Sequence, residues 1–183
     1  ANKGYGNAVT TSRDVTDRAY ACQVLLSLCE TVGMRLRRDG QAGSCVTIQL
    51  RTSEFETWSH QMRLASATNV TGELYLAACS LLDQAWDRKT PLRQLGVSVT
   101  QLADGTLRQY SLFDAADYAR QEKLDTAVDA LREKFGEGAL FRAALLHSDE
   151  RMAGGLHKKR RTGITKPIED EAARIRKKYG NND

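Results

Sequence analysis

The amino-acid sequence predicts an α+β domain in which a four-stranded sheet carries two helices on one face, followed by a helical extension and a basic tail. Two segments place apolar residues at three- and four-residue steps, as amphipathic helices do, and four others show extended or alternating patterns. Their order along the chain is strand, helix, strand, strand, helix, strand. We therefore expect a βαββαβ domain over residues 1–103, a linker over 104–114, the extension over 115–146 and a flexible basic tail over 147–183.

The first half of the predicted domain is a strand followed by a long helix. Residues 3–11 place apolar and β-branched residues among glycines, which favours a strand. Thr16 is expected to cap the following helix, with Asp17 in its first turn. An apolar stripe then runs from Ala19 to Leu36, and Gly40 is expected to end the helix.

The second half repeats the pattern with a hairpin in place of the single strand. Residues 44–51 alternate apolar and polar side chains, and residues 57–64 form a second extended run after a polar turn. Asn69 or Thr71 is expected to cap the second helix, which ends near Trp86. The last strand is predicted over 92–102.

The extension beyond this domain is predicted to be a helix followed by a second, shorter helical turn. Residues 118–135 place Leu124, Val128, Leu131 and Phe135 on one stripe, Gly136 interrupts the pattern, and 139–146 form a shorter helical turn. This apolar surface is small, so two alternatives remain: the extension packs on the domain, or it is free of it.

One face of the predicted sheet is open, polar and free of carboxylates. Its outward side chains are Thr47, Gln49, Arg51, Ser59, Gln61, Arg63, Gln94 and Ser98. Hydroxyls, amides and guanidiniums donate hydrogen bonds to phosphates without repelling them. The pattern thus favours a surface for a phosphate backbone, and an ordinary solvated sheet face is the alternative.

A short peptide between the domain and the extension places two large apolar side chains next to each other. Leu112 and Phe113 follow Gln109, Tyr110 and Ser111, and neither a strand nor a helix period would bury both in their own domain. This predicts docking into a partner's pocket. The alternative is a helix N-terminus, in which the two side chains act as a hydrophobic staple.

No reactive centre is predicted in the sequence. It has no glycine-rich phosphate loop, and its three histidines are far apart in unlike contexts. Its four cysteines, Cys22, Cys29, Cys45 and Cys79, fall in predicted helices and strands, as reduced core thiols of a cytoplasmic protein do. We expect a binding module with no metal or cofactor of its own.

Two further features bear on organisation and partners. The first residue, Ala1, is not a start methionine, so we expect the chain to be part of a longer protein. No run of about 18 apolar residues is present that would span a bilayer. The tail is densest in basic residues at 157–161, which attract polyanions or keep the protein in solution.

Three segments together carry a resemblance to a known family. They are Lys3-Gly4-Tyr5-Gly6-Asn7-Ala8-Val9-Thr10-Thr11, Trp58-Ser59-His60 and Arg93-Gln94-Leu95-Gly96-Val97-Ser98. These segments, together with the order of the strands and helices, resemble the C-terminal little finger domain of the Y-family translesion DNA polymerases. Within that family the resemblance is to the bacterial polymerase IV group. The resemblance covers about residues 3–114.

The resemblance implies that the full-length parent protein is an enzyme and that this part alone has no catalytic activity. Such a parent is an error-prone DNA-directed DNA polymerase, a nucleotidyltransferase of DNA repair and lesion bypass in the bacterial cytoplasm. Its catalytic carboxylates hold Mg²⁺ in a palm domain outside this sequence. The part in hand is expected to be inactive alone, monomeric and without a membrane partner.

The resemblance also implies contacts from the open sheet face to duplex primer–template DNA, through phosphates and without reading bases. The implied residues are Asn7 and Thr10 on the first strand, Ser59 and His60 on the third, and Arg93, Gln94 and Ser98 on the fourth. Arg51 and Arg63 are added from strand alternation.

The peptide from Gln109 to Phe113 resembles the family's motif for docking on the bacterial sliding clamp. Gln109 would hydrogen-bond at the rim of the clamp's pocket, and Leu112 and Phe113 would fill it. Tyr110 stands where relatives usually have leucine, and Ser111 occupies a variable position.

Two other classes of function share this pattern of elements. A ferredoxin-like RNA-binding module has the same order but stacks bases on aromatic side chains of its central strands. Here Gln49 and Ser98 take the comparable outward positions, and Tyr5 and Trp58 are the available aromatics. A protein-interaction scaffold, in which the sheet face is inert and Leu112 and Phe113 alone matter, is the other alternative.

Overall fold

The chain was described with a computed structural model that covers residues 2–105, 115–136 and 138–145. Its elements in order are β1 (Gly4–Val15), α1 (Arg18–Arg38), β2 (Gln41–Arg51), β3 (Thr57–Thr68), α2 (Thr71–Ala85), β4 (Leu92–Asp104), α3 (Ala115–Phe135) and a 3₁₀ turn (Ala143–Leu145). The predicted α+β class and the order βαββαβ are confirmed. No helix in the described ranges has the length and apolar character needed to cross a membrane.

The four strands form one antiparallel sheet in the order β1-β4-β2-β3. The central strands β2 and β4 pair Val46 with Val99, Ile48 with Val97 and Leu50 with Leu95. All six side chains are at most 2% exposed and pack with α1 and α2 in one core. The sheet therefore has one face covered by helices, as the alternation predicted, and the β2–β3 hairpin is confirmed.

The first helix begins one residue later than the sequence suggested. Asp17 has extended backbone angles and its carboxylate accepts the Tyr20 N–H at 2.8 Å, so Asp17 rather than Thr16 is the N-cap. The preceding strand runs to Val15 past a bulge, which leaves Thr16 as the connecting residue. At the other end Gly40, with φ of +63°, donates to the Arg37 carbonyl and ends the helix as predicted.

The second helix is capped by a residue from elsewhere in the chain. The predicted caps are wrong, because Val70 holds the cap position and makes no side-chain cap bond. Instead the Asp125 carboxylate, from α3, accepts the Thr71 N–H at 2.8 Å. Asn69 uses its amide to donate to the Gln41 carbonyl at 3.3 Å.

The extension docks on the domain through polar side chains. Three members of the predicted apolar stripe are exposed, Leu124 by 58%, Leu131 by 43% and Phe135 by 64%. Asp125 and Arg132 are buried in their place, at 4% and 7% exposure. The stripe was therefore wrong as a guide to the buried face, and the choice left open between docked and free is settled as docked.

Arg37, in the last turn of α1, is the centre of this contact. Its guanidinium donates two bonds to Asp129, at 2.6 and 3.1 Å, and one to Asp125 at 3.2 Å. The same group donates to the Asn69 carbonyl at 2.7 Å and the Thr71 hydroxyl at 3.2 Å. Only 9% of the Arg37 side chain is exposed, so these donors are satisfied within the protein.

A second set of ion pairs continues the contact along α1. Arg132 and Arg142 donate to opposite oxygens of Glu30, at 3.3 and 2.8 Å. Arg142 also reaches Asp125 at 2.8 Å. The chain after α3 thereby folds back, and Leu145 of the 3₁₀ turn is fully buried. We call Glu30, Arg37, Asp125, Asp129, Arg132 and Arg142 the docking network.

Replacing Arg37 by alanine tests the network. The change leaves Asp125 and Asp129 with fewer partners in a largely buried site, and we expect the free energy of unfolding to fall by roughly 3–5 kcal/mol. Arg38→Ala is the control, because that side chain is 66% exposed and pairs with Asp39 at the surface; its expected cost is within about 1 kcal/mol. Urea denaturation followed by circular dichroism measures both. Equal losses for the two variants would contradict a central role for Arg37.

Candidate nucleic-acid interface

The strand register confirms which side chains share the open face. Directly paired residues of antiparallel strands point to the same side of a sheet. The Thr47 position pairs with Gln61 and Ser98, and Gln49 pairs with Ser59 and Gly96. The full set on this face also holds Gly4, Gly6, Ala8, Thr10, Cys45, Arg51, Thr57, Arg63, Gln94 and Thr100. All eight side chains predicted to face outward together do so.

None of the residues assigned above to the open face is a carboxylate; the paired Asp104 lies beyond them, opposite Gln41 at the end of β4. Its charges are Arg51 and Arg63, and its remaining polar groups are hydroxyls and amides. A phosphate approaching it meets hydrogen-bond donors and two cations without a repelling acid. The electrostatics therefore suit a polyanion.

Small residues make the middle of the open face concave. A depression of about 500 Å³ lies over β1, β4 and β2, with Gly6, Ala8 and Gly96 among its lining residues. A Cβ added at Gly6 would stand 3.1 Å from the Ser98 Cβ, and one at Gly96 would stand 3.2 Å from the Ala8 Cβ. The two strands thus expose their backbone there, and a ligand can approach the main chain closely.

Arg51 is held in place at one end of the open face. Its Nη1 donates to the Gln94 amide oxygen at 2.9 Å, and its guanidinium stacks on the Phe55 ring at 4.6 Å from the centroid. Phe55 sits in the hairpin turn with φ of +69° and is 72% exposed. The stacking limits the rotamers of Arg51, so less entropy is lost when it binds an anion.

Asn7 and His60 do not belong to the open face. Asn7 pairs with Val97 and His60 with Ile48, both core residues, so their side chains lie on the helix side of the two edge strands. The resemblance grouped Ser59 with His60, but successive residues of a strand point to opposite faces. Their grouping with the open face was therefore wrong; Thr10, Ser59, Gln94 and Ser98 are on it.

Arg93 lies beside the bulge in β1. Its Nη1 donates to the Ser12 carbonyl at 3.4 Å and stands 3.6 Å from the Asp14 carboxylate. About 39% of the side chain is exposed. A ligand that used this guanidinium would compete with Asp14, a partner that the sequence pattern did not reveal.

The predicted docking peptide lies outside the described residues. Gln109, Tyr110, Ser111, Leu112 and Phe113 all fall between the last described residue of the domain and the start of α3. Both flanks are anchored: Gly105 donates its N–H to the Gly40 carbonyl at 2.9 Å, and the docking network holds α3. Residue 146 and the basic tail, 147–183, also lie outside the described residues.

The residues that the structure describes do not form a catalytic metal site. Within the described ranges, no group of three or more His, Cys, Asp or Glu side chains is arranged to hold a metal ion. The buried acids Glu30 and Asp125 accept bonds from arginines instead. No chemical step through Mg²⁺ follows from this part of the protein.

Two features of the structure were missed from the sequence. The docking network had a local signal, since Asp125, Asp129 and Arg132 recur at helical spacing on the side of α3 that faces the domain. Cys22 and Cys79, whose Sγ atoms are 3.4 Å apart, had none, because one is on α1 and the other on α2.

The fold and the open face define an α+β domain with one covered and one polar sheet face. The family model described as the impB/mucB/samB family C-terminal domain matches residues 2–112 of the chain. That match covers more than half of the sequence, and the chain belongs to this family.

Curated relatives match a longer stretch of the chain. A DNA polymerase IV of Clostridium acetobutylicum is 35% identical over 149 residues, which is 81% of this chain and 37% of the relative. A DNA polymerase IV of Moorella thermoacetica is 35% identical over 153 residues, 84% of this chain and 38% of that protein. The chain spans little more than a third of these relatives.

One solved structure is described as a complex of beta-clamp processivity factor and little finger domain of PolIV. It matches with a TM-score of 0.46 and 18% identity, covering 60% of this chain and 97% of that one.

Proposed function

We propose that this chain is the C-terminal part of a bacterial translesion DNA polymerase of the polymerase IV type, in which the open face grips duplex primer–template DNA. The observation that carries the proposal is the set of residues assigned to the open face, which includes two arginines, many neutral donors and no carboxylate. Family membership and the names of the curated relatives support it.

The proposed grip is electrostatic and independent of sequence. Arg51 and Arg63 release counterions from phosphates, while Thr10, Ser59 and Ser98 donate hydrogen bonds. Arg93, which lies beside the bulge in β1 and outside the paired open-face positions, adds a further cation once it leaves Asp14. Such contacts fix the position of a duplex but do not identify its bases, which suits an enzyme that copies any template.

Nucleotidyl transfer, with its Mg²⁺ ions, belongs in this proposal to other domains of the parent polymerase. The part in hand contributes substrate geometry and processivity as a monomer. We infer the bacterial cytoplasm as the location, because the chromosome that such an enzyme copies lies there. Residues 1–103 form the DNA-gripping domain, 104–114 the clamp linker, 115–146 the docked extension and 147–183 a basic tail.

The peptide from Gln109 to Phe113 is proposed to dock on the bacterial sliding clamp. Burial of Leu112 and Phe113 in a pocket is worth about 1.5–3 kcal/mol each. After the cost of ordering the peptide, an affinity on the order of micromolar remains. Gln109 adds hydrogen bonds at the rim of the pocket.

The arrangement of the aromatic side chains does not support an RNA-binding function. Tyr5 pairs with Val99 and Trp58 with Leu50, so both rings lie on the helix side. The Trp58 indole also donates to the Ala85 carbonyl at 3.0 Å. The described open-face positions of β2 and β4 carry no aromatic residue on which a base would stack.

A carboxylate placed on the open face tests the grip. Gln49→Glu adds one negative charge at the centre of this face, and we expect affinity for a primer–template duplex to fall on the order of tenfold. His60→Glu is the matched control, since it adds the same charge on the helix side of the neighbouring strand; we expect a change within about twofold. Fluorescence anisotropy at fixed salt, with the chain ended at residue 145 to exclude the basic tail, measures both.

The outcome distinguishes the proposed grip from an inert scaffold. In the wild-type protein the logarithm of the binding constant should fall by about 0.9 per phosphate contact for each unit of log salt. Equal weakening by the two substitutions, or strong preference for one base sequence at constant salt, would exclude the open face as the DNA contact.

Paired substitutions test clamp docking. Leu112→Ala with Phe113→Ala removes both apolar anchors, and binding to a purified bacterial sliding clamp should weaken by at least about 100-fold. The control is Leu124→Ala with Phe135→Ala, which removes two exposed apolar side chains of α3 and should leave the affinity unchanged. Isothermal calorimetry measures each pair. Undiminished binding after loss of Leu112 and Phe113 would assign docking to another surface.

A further inference from the structure

Two cysteines face each other where the two core helices pack together. Cys22 is in the second turn of α1 and Cys79 is in α2, and the Cys79 thiol donates to the Cys22 Sγ at 3.4 Å. The residues are 6% and 8% exposed, so each is covered but close to the surface. Neither side chain has a part in the DNA or clamp contacts proposed above.

The surroundings favour a thiolate on one of the two sulfurs. The hydrogen bond from Cys79, assisted by the Arg18 guanidinium one turn earlier on α1, lowers the pKa of Cys22 to about 7. The same bond, with burial, raises the pKa of Cys79, which keeps the shared proton. Asp83 holds Arg18 at 2.7 and 2.8 Å and partly offsets its charge, and Tyr75 adds a hydrogen bond to the pair.

The other two cysteines are in different settings. Cys29 is fully buried, and burial raises its pKa well above the ordinary value. Cys45 is buried on β2, on the opposite side of the sheet from the helices. An oxidant should therefore react at the Cys22–Cys79 pair, whose sulfurs are in contact, in preference to Cys29, since reactivity follows thiolate content and access.

We propose that Cys22 and Cys79 are an oxidation site that forms a reversible disulfide with hydrogen peroxide as the oxidant. The Cys22 thiolate attacks one peroxide oxygen, the O–O bond breaks, and sulfenic acid and hydroxide form. The Cys79 sulfur then attacks the sulfenic sulfur, the S–S bond forms, and the sulfenic oxygen leaves as water with the Cys79 proton. In sum, two thiols and one peroxide give one disulfide and two waters.

The disulfide would tie α1 to α2 without touching the open face. It closes a long loop of the chain and so restricts the unfolded state, which stabilises the fold. The oxidised protein should thus resist urea better than the reduced one while keeping its affinity for duplex DNA. A thiol reductant should restore the original unfolding midpoint.

The experiment uses the full 183-residue chain. After treatment with hydrogen peroxide, intact mass should fall by about 2 Da as two hydrogens leave, and non-reducing peptide mapping should join the peptides of Cys22 and Cys79. Cys45→Ser is the control and should give the same product. In Cys79→Ser, dimedone should label Cys22, because the sulfenic acid has no thiol to resolve it.

Mapping of the wild-type protein decides the matter even if a variant fails to fold. Absence of the Cys22–Cys79 link after oxidation overturns the proposal, as does a preferential reaction of Cys29 or Cys45. Oxidation of Cys22 to sulfinic acid in the wild type, with no link to Cys79, would also overturn it, because a resolving thiol in contact should intercept the sulfenic acid first.

Discussion

The rest of the structure depends on one constraint. The central strands β2 and β4 bury the side chains of one sheet face against the helices and hold polar side chains on the other face. Val46, Ile48 and Leu50 are fully buried against the helices, so the register of β2 with its neighbours cannot slip without exposing them. Thr47 and Gln49 alternate with these residues and are therefore held on the other face. The core thus positions the polar side chains that carry the proposed function.

The extension is held to the domain by polar contacts rather than by apolar packing. Its contact with the domain rests on charged groups that are mutually satisfied: Asp125 accepts from the Thr71 backbone, Arg37 and Arg142. Removing such groups from water is costly, and the cost is recovered only when every partner is in place. This makes the docking geometry specific and supplies the α2 N-cap that the local sequence lacks. It also fixes the α3 flank of the peptide proposed to reach the clamp, while the bond from Gly105 to Gly40 holds the other flank.

The sequence predicted what depends on local periodicity and failed where distant residues decide. Alternation in residues 44–51 and 92–102 assigned the two sheet faces, and Gly40 marked the end of α1, because these signals arise within single elements. The α2 cap was wrong because its partner, Asp125, lies 54 residues away. The stripe through Leu124 was wrong because the largely buried Arg37 of the domain pairs with the acidic side of α3. Asn7 and His60 were assigned to the open face from the resemblance. A resemblance matches positions along the chain but does not show to which face of the sheet each side chain points.

The most direct test of the central claim is a map of where duplex DNA meets the protein. Backbone amide shifts of the labelled chain, ended at residue 145, should be followed by nuclear magnetic resonance as an unmodified primer–template duplex is added. We expect the largest changes to fall on Thr47, Gln49, Ser59 and Ser98, and the outer surfaces of α1 and α2 to change little. Changes concentrated on those helices, with the four open-face residues unmoved, would contradict it.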